Sequence, residues 1–173
     1  QPQSPGLRER IWWGSASNAT GEWAAKLGMN LMSSTLKVDE SGKPFHVQQA
    51  EQIEAFRVAW AAAGHPREPR ISVSRSIFAL VGVQHPLQPY DRAYFGADRD
   101  SGDQFGVIDD FSAVFGRSYA AEPDALVEQL AGDEAIAAAD TLLLTVPNQL
   151  GVDYNAHVLE SILTHVAPAL GWR

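Results

Sequence analysis

Short apolar runs separated by helical patterns are the feature that most constrains the fold of this chain. The runs are continuously apolar, without the polar alternation of a half-exposed strand, which is typical of strands covered by helices on both faces. They occupy residues 11–13, 29–32, 70–81 and 141–146. Helical periodicity follows over residues 19–27, 47–64, 123–130 with a second stretch through residue 139, and 153–166. The order predicts an α/β protein of about four βα units with parallel strands.

The length and one unusual segment bear on the domain organisation. A chain of 173 residues is long enough for one well-buried domain, so we expect a single domain or a partial barrel over residues 1–173. Residues 82–106 are rich in Pro, Gly, Asp and Tyr and show no sustained period. This composition predicts a long loop or insertion.

The charge and composition exclude several function classes. A formal net charge of -8 with only 13 scattered basic residues opposes binding to nucleic acid or to an anionic membrane. Zero cysteines exclude a disulfide framework and a zinc-thiolate site, and the default expectation is a cytoplasmic protein. The opening QPQSPGLRER has no initiator methionine and no signal-peptide core, so we expect a fragment of a longer protein.

The turn GSASNAT, residues 14–20, is the segment that most suggests chemistry. Gly14 permits a close backbone approach, and the hydroxyls of Ser15, Ser17 and Thr20 can donate to phosphate oxygens. The helix that begins near Ala19 adds unpaired N–H groups and the positive end of its dipole. The same residues are also ordinary helix caps, so helix capping alone and phosphate binding both remain open.

Two stretches resemble a known family. They are WWGSASNATGEWAAKLGMNLMSSTL near the start and TLLLTVPNQLGVDYNAHVLESILTHVAPALGW near the end. They resemble the C-terminal part of the luciferase-like flavin-dependent monooxygenases, which are (β/α)8 barrels. The resemblance implies that the chain is the C-terminal part of a TIM-type barrel, from the fifth βα unit to the eighth. The length agrees, because a complete barrel typically needs about 250 residues.

The resemblance also implies an activity and a cofactor. Members oxidise a small organic substrate with molecular oxygen by means of reduced FMN, or of a deazaflavin in some relatives. The turn would hold the phosphate of the flavin, and the positions carried over as cofactor-binding are Gly14, Ser15, Ser17, Asn18 and Thr20. Because the flavin supplies the oxygen chemistry, no catalytic side chain is assigned and the catalytic residues stay unknown.

Further candidates lie at the ends of predicted strands, where barrel enzymes place their chemistry. Ser33 follows the second run, while Asn148 and Gln149 follow the last one, and we predict substrate contacts for these three. Simple strand ends or turns are the competing interpretation. Arg75 lies within an apolar strand and would need partners if buried, one of which could be a bound anion. The five histidines lack metal-ligand spacing, so no metal site is expected.

Two other interpretations remain open. In the first, the chain is a cofactor-free half-barrel that acts as an assembly module, because a split barrel exposes unpaired strand edges that invite association. The partner would be the N-terminal half of the barrel or a second copy, and we expect an oligomer. In the second, the chain is an unrelated phosphate-binding α/β domain with an open sheet. That interpretation lacks the glycine and lysine spacing of known nucleotide fingerprints.

Overall fold

The structure is a computed structural model that describes residues 4–81, 102–108, 110–147 and 151–172. In chain order the strands are β1 (Trp12–Ser15), β2 (Asn30–Ser33), β3 (Leu36–Val38), β4 (Ile71–Arg75), β5 (Ile77–Ala79), β6 (Gln104–Ile108), β7 (Phe111–Phe115), β8 (Tyr119–Ala121) and β9 (Thr141–Leu144). The helices are α1 (Leu7–Arg10), α2 (Asn18–Lys26), α3 (Phe45–Ala63), α4 (Pro123–Ala131), α5 (Glu134–Ala138) and α6 (Gly151–Ser161), which continues as a π-helix over Ile162–Val166. None of the described helices combines the length and the apolar character needed to cross a membrane.

The described residues group into two compact units. The first unit takes its residues from Gln1–Ser74, Asp103–Gly116 and Glu134–Leu143, and the second takes its residues from Arg75–Gly102, Arg117–Asp133 and Leu144–Arg173. Each unit is described by itself below. The expectation of a single domain or partial barrel stays a prediction.

A four-stranded sheet with the order β1-β2-β4-β9 organises the first unit. Strand β2 pairs in parallel with β1 on one side and with β4 on the other. The α/β fold with parallel strands, predicted from the apolar runs, is therefore confirmed. The register places Ser15 opposite Ser33, so the carboxyl ends of β1 and β2 lie side by side.

Helices α2 and α3 pack together and build the core of the first unit with the sheet. The buried cluster consists of Ala24, Ala25, Met29, Leu31, Ile53, Phe56, Trp60, Ile71, Val73 and Ala135. Glycines mark the end of both helices as their sequence position predicts, since Gly28 and Gly64 adopt positive φ angles of 73° and 67°.

A small antiparallel sheet with the order β3-β7-β6 belongs to the same unit. It corrects part of the predicted loop over residues 82–106, because residues 104–106 belong to β6, while residues 82–101 lie outside the described residues. Strands β6 and β7 form a hairpin whose Phe105, Val107 and Phe111 are exposed. Strand β7 also pairs with the distant β3, a partner that local patterning does not show.

The start of the second unit, at Arg75, corrects one further boundary. The third apolar run, residues 70–81, is two strands in different sheets, because β5 pairs in parallel with β8. The two helical stretches predicted from Pro123 through Leu130 and on through Ala139 are confirmed as α4 and as α5 of the first unit, separated by Gly132 and Asp133. Asp133 leaves the helical path with its side chain buried, and Gly132 is a poor helix former. The buried hydrophobic side chains of the second unit include Ile77, Phe78, Tyr119, Leu126, Leu130, Tyr154, Val158, Ile162 and Val166.

Candidate functional site

The predicted phosphate turn connects β1 to α2 in the first unit, and its hydroxyl groups form a local network. Ser15 is the last residue of β1 and is buried, with its Oγ 2.9 Å from the carbonyl oxygen of Ser17 and 2.5 Å from Thr20 Oγ1. Ser17 Oγ lies 3.0 Å from Thr20 Oγ1 and accepts a hydrogen bond from the backbone N–H of Thr20 at 3.4 Å. Ser17 is therefore the N-cap of α2, a role that is compatible with capping alone and with phosphate binding.

Gln52 of α3 holds this turn against the sheet. Its Nε2 donates to the carbonyl oxygen of Ser17 at 2.8 Å and lies 3.3 Å from both the carbonyl oxygen and the Oγ of Ser15. Its Oε1 accepts from the hydroxyl of Ser33 at 2.7 Å. One buried amide thus connects α3 with the carboxyl ends of β1 and β2.

An ammonium and a carboxylate lie at the N-terminus of α2. Lys37 of β3 is fully buried, and its Nζ donates to Asn18 Oδ1 at 3.0 Å and to Glu40 Oε2 at 3.3 Å. The backbone N–H of Asn18 donates to the Glu40 carboxylate, with both oxygens at 3.2 Å. The first N–H of the helix therefore already has an anionic partner, as the helix dipole favours.

Burial controls the charge of the lysine. It lowers the pKa of Lys37 below its ordinary value of 10.5, because loss of water disfavours the ammonium form. The nearby charge and hydrogen bond of Glu40, together with the charge of Glu51, raise the pKa by less than burial lowers it. The ammonium therefore depends on an anion close to it.

The segment that carries Glu40 is fixed by a second glutamine of α3. Gln48 Oε1 accepts from the backbone N–H of Glu40 at 3.2 Å, and its Nε2 donates to Asp39 Oδ1 at 2.9 Å. Asp39 Oδ1 also accepts from the backbone N–H of Gly42 at 2.8 Å. These bonds hold the backbone of residues 39–42 next to α3, while the Glu40 side chain remains 32% exposed.

The structure brings together most of the predicted site residues. Gly14, Ser15, Ser17, Asn18 and Thr20 lie at one junction, with Gly14 and Thr20 exposed. Ser33 lies beside them, but it is completely buried and its hydroxyl is used by Gln52. Asn148 and Gln149 lie outside the described residues. The cofactor and substrate roles of all these residues stay predictions.

Three residues of the site escaped the sequence analysis. Gln52, Lys37 and Glu40 all lie well beyond the turn in the sequence. For Gln52 a signal exists, because it lies four residues before the core residue Phe56 on the apolar face of α3. No comparable signal marks Lys37 or Glu40, since each is a charged residue in a polar stretch.

Arg75 belongs to a separate cluster in the second unit. Its Nε and Nη2 donate to the two carboxylate oxygens of Asp133 at 2.7 and 2.9 Å, and the hydroxyl of Tyr119 donates to Asp133 Oδ2 at 2.7 Å. All three side chains are buried. Burial, reinforced by the charge of Asp133, raises the pKa of the Tyr119 hydroxyl. The buried guanidinium thus has the partner that its burial requires, and that partner is an internal carboxylate.

Comparisons with known proteins bear on the fold. No protein-family model and no curated protein matches the chain. Among solved structures, the crystal structure of the monooxygenase RslO1 from Streptomyces bottropensis is similar, with a TM-score of 0.56 at 18% sequence identity. The similarity covers 92% of this chain and 48% of the other, so the chain spans about half the length of that protein. At this identity the likeness shows a shared fold.

Proposed function

We propose that the chain is the C-terminal portion of a cytoplasmic, luciferase-like flavin-dependent monooxygenase, in which reduced FMN is used to oxidise a small organic substrate with molecular oxygen. A deazaflavin is the alternative cofactor. The observation that carries the proposal is the β1–α2 turn, where hydroxyls, a helix N-terminus and a buried ammonium converge at the carboxyl end of a parallel strand. This is the edge at which α/β proteins bind their ligands.

The donor set of the turn suits a phosphate group. The backbone N–H of Asn18 and the ammonium of Lys37 point at one position, and a carboxylate already lies there. A phosphate carries negative charge and strong acceptor oxygens, so it can accept from the same donors. The hydroxyls of Ser17 and Thr20 belong to the same turn, 3.0 Å apart, and can rotate to donate. These contacts support the assignment of the cofactor's phosphate to this turn.

The residues of the chain would position the cofactor and exclude water from it. When bound, reduced flavin supplies the reaction with molecular oxygen. Ser15 and Gln52 fix the backbone of the turn, and Gly14 leaves room for a close approach to the exposed end of β1. Substrate contacts are proposed for Ser33, Asn148 and Gln149. Because the buried hydroxyl of Ser33 donates to Gln52, Ser33 would act on the substrate through Gln52.

The half-barrel interpretation belongs to the same proposal. The sheet has its strands in the order β1-β2-β4-β9, with parallel pairing on both sides of β2, as consecutive strands of a TIM-type barrel would have. The likeness to a monooxygenase across 48% of that protein's length supports it. In this interpretation β1 and β9 would each pair with a strand of the other barrel half.

A cofactor-free assembly module is the second candidate, favoured by the exposed edge of the sheet. On edge strand β1, Trp13 is 37% exposed and packs edge-to-face against Trp23, which is 45% exposed, with ring centroids 4.8 Å apart. Exposed tryptophans at a strand edge are suited to bury surface against a partner. That partner would be the N-terminal barrel half or a second copy.

Native mass spectrometry with FMN and with riboflavin, which lacks the phosphate, tests both candidates. The monooxygenase proposal predicts a complex with one FMN per chain, alone or with an N-terminal polypeptide, and much less riboflavin. Dimers or hetero-complexes without any flavin would contradict it and favour the assembly module. A matched Ser17→Ala variant should retain the assembly state and lose FMN occupancy.

A further inference from the structure

The carboxylate of Glu40 occupies the position proposed for phosphate. Both of its oxygens lie 3.2 Å from the backbone nitrogen of Asn18, and Oε2 lies 3.3 Å from Lys37 Nζ. We propose that Glu40 closes this anion position in the unliganded chain and moves out when a phosphate monoester binds, so that Glu40 sets the affinity for phosphate. This inference rests on the proposed function, because it needs phosphate to bind at this turn.

The contacts of Glu40 are long enough to be displaced. Charge-assisted N–H···O bonds are usually about 2.7–2.9 Å long, whereas all three bonds of the Glu40 carboxylate measure 3.2–3.3 Å. The side chain is 32% exposed, so the carboxylate can rotate into water. Asp133 of the second unit provides the contrast, because its carboxylate is fully buried and bonded to Arg75 at 2.7 and 2.9 Å.

The donors that remain after Glu40 leaves require another anion. Lys37 is fully buried, and its ammonium has three hydrogens. Within the described part of the chain Asn18 and Glu40 are its two hydrogen-bond acceptors, so one hydrogen remains for a further acceptor. A phosphate monoester offers three terminal oxygens to the ammonium and the Asn18 N–H. The Glu40 carboxylate therefore leaves one hydrogen of the Lys37 ammonium available, whereas a phosphate could accept from it.

Glu40 and a phosphate cannot share the position. A phosphate monoester carries a charge of about -1.5 to -2 near neutral pH, and a carboxylate at contact distance repels it strongly where little water intervenes. Occupation by either group therefore excludes the other. The measured affinity for phosphate therefore reflects how much more strongly phosphate binds to these donors than the Glu40 carboxylate does.

Isothermal titration with inorganic phosphate, FMN and riboflavin tests the inference in the complete chain. Glu40→Gln retains the shape of the side chain and removes its charge, so the affinity for phosphate and FMN should rise about tenfold. Glu40→Asp keeps the charge but is shorter by one methylene, so it should raise the affinity by less. Glu54→Gln makes the same charge change at an exposed position of α3 and should have no effect. Thermal unfolding checks that each variant is folded.

The outcomes separate the two proposals. FMN affinity that exceeds riboflavin affinity but is unchanged in Glu40→Gln and Glu40→Asp would overturn the role of Glu40 and retain the phosphate site. Equal affinity for FMN and riboflavin, with no phosphate binding in any variant, would overturn both proposals. If Glu40→Gln does not fold, the Glu40→Asp result decides.

Discussion

The side-chain oxygen of Gln52 accepts a hydrogen bond from the hydroxyl of Ser33 at 2.7 Å, although the two residues lie on different elements. Both side chains are fully buried. Because the Nε2 of the same amide donates to the carbonyl oxygen of Ser17, the geometry of the turn over residues 14–20 depends on a residue of α3.

Replacing Gln52 with leucine should lower the free energy of unfolding by about 3 kcal/mol, because the Ser33 hydroxyl and the Ser17 carbonyl lose their partner in a buried position. Urea unfolding followed by circular dichroism measures the change. Glu54→Leu, at an exposed position of the same helix, should remain within about 0.5 kcal/mol of the wild type. Equal stability of Gln52→Leu and the wild type would show that the amide network contributes nothing.

A double-mutant cycle should measure a favourable coupling free energy between Arg75 and Asp133. Arg75→Met leaves a buried carboxylate without its guanidinium, so the free energy of unfolding should fall by about 3–5 kcal/mol. The double variant Arg75→Met/Asp133→Leu removes both charges and should recover part of that loss, because the buried Tyr119 hydroxyl still loses its acceptor. If the double variant loses as much free energy of unfolding as Arg75→Met and Asp133→Leu lose together, this interpretation is contradicted.

The raised pKa of Tyr119 should make stability fall at alkaline pH. In the unfolded chain the phenol ionises near its ordinary value of 10, whereas burial beside Asp133 keeps it protonated in the folded chain. Above that pH the unfolded chain binds fewer protons, so the free energy of unfolding decreases by up to about 1.4 kcal/mol per pH unit. Below that pH the phenol is protonated in both the folded and the unfolded chain, so Tyr119 makes its full contribution to stability.

Urea unfolding between about pH 8 and 11 checks this against Tyr119→Phe. The variant should be less stable at neutral pH, because it loses the hydrogen bond to Asp133, but its stability should fall less steeply above pH 10. The lowered pKa of Lys37 also affects the pH dependence of stability, but Lys37 is present in both proteins and its contribution cancels in the comparison. Parallel curves would refute the assignment.

Gly116 should not tolerate a side chain. A Cβ at this position would lie 2.6 and 2.7 Å from two ring atoms of Phe45, which is buried. Gly116→Ala should therefore lower the free energy of unfolding by about 1–3 kcal/mol. At Gly106, the added carbon would lie 3.6 Å from Phe115, an ordinary contact, so Gly106→Ala should cost much less. Equal effects of the two substitutions on the unfolding midpoint would contradict this reasoning.

The part of the fold that could be predicted from the sequence is the part that local patterns determine. The apolar runs identified β1, β2, β4 and β9, and the glycines at positions 28 and 64 marked where α2 and α3 end. Strand β3 was missed because it pairs with the distant β7, where Lys37 lies opposite Val114. The hairpin of β6 and β7 is local, but it begins inside the segment 82–106, which shows no sustained period. A continuous apolar run also cannot show where one strand ends and another, with a different partner, begins. The sequence therefore predicted β4 and β5 as one strand.

The candidate site follows the same division. Ser15, Ser17 and Thr20 were recognised because hydroxyls next to a helix start form a local pattern. Lys37 and Glu40 come from a strand and a loop that only the folded chain brings to that helix. Their chemistry changes the interpretation of the turn, since an internal carboxylate already occupies the helix N-terminus.

Backbone amide NMR during titration with FMN tests the central claim most directly. If the turn binds the phosphate of the flavin, the amide signals of Asn18 and Thr20 should shift on addition of FMN, and riboflavin should leave them unchanged. Equal shifts with both ligands, or shifts confined to residues outside positions 14–20, would contradict the assignment of this turn as the phosphate site.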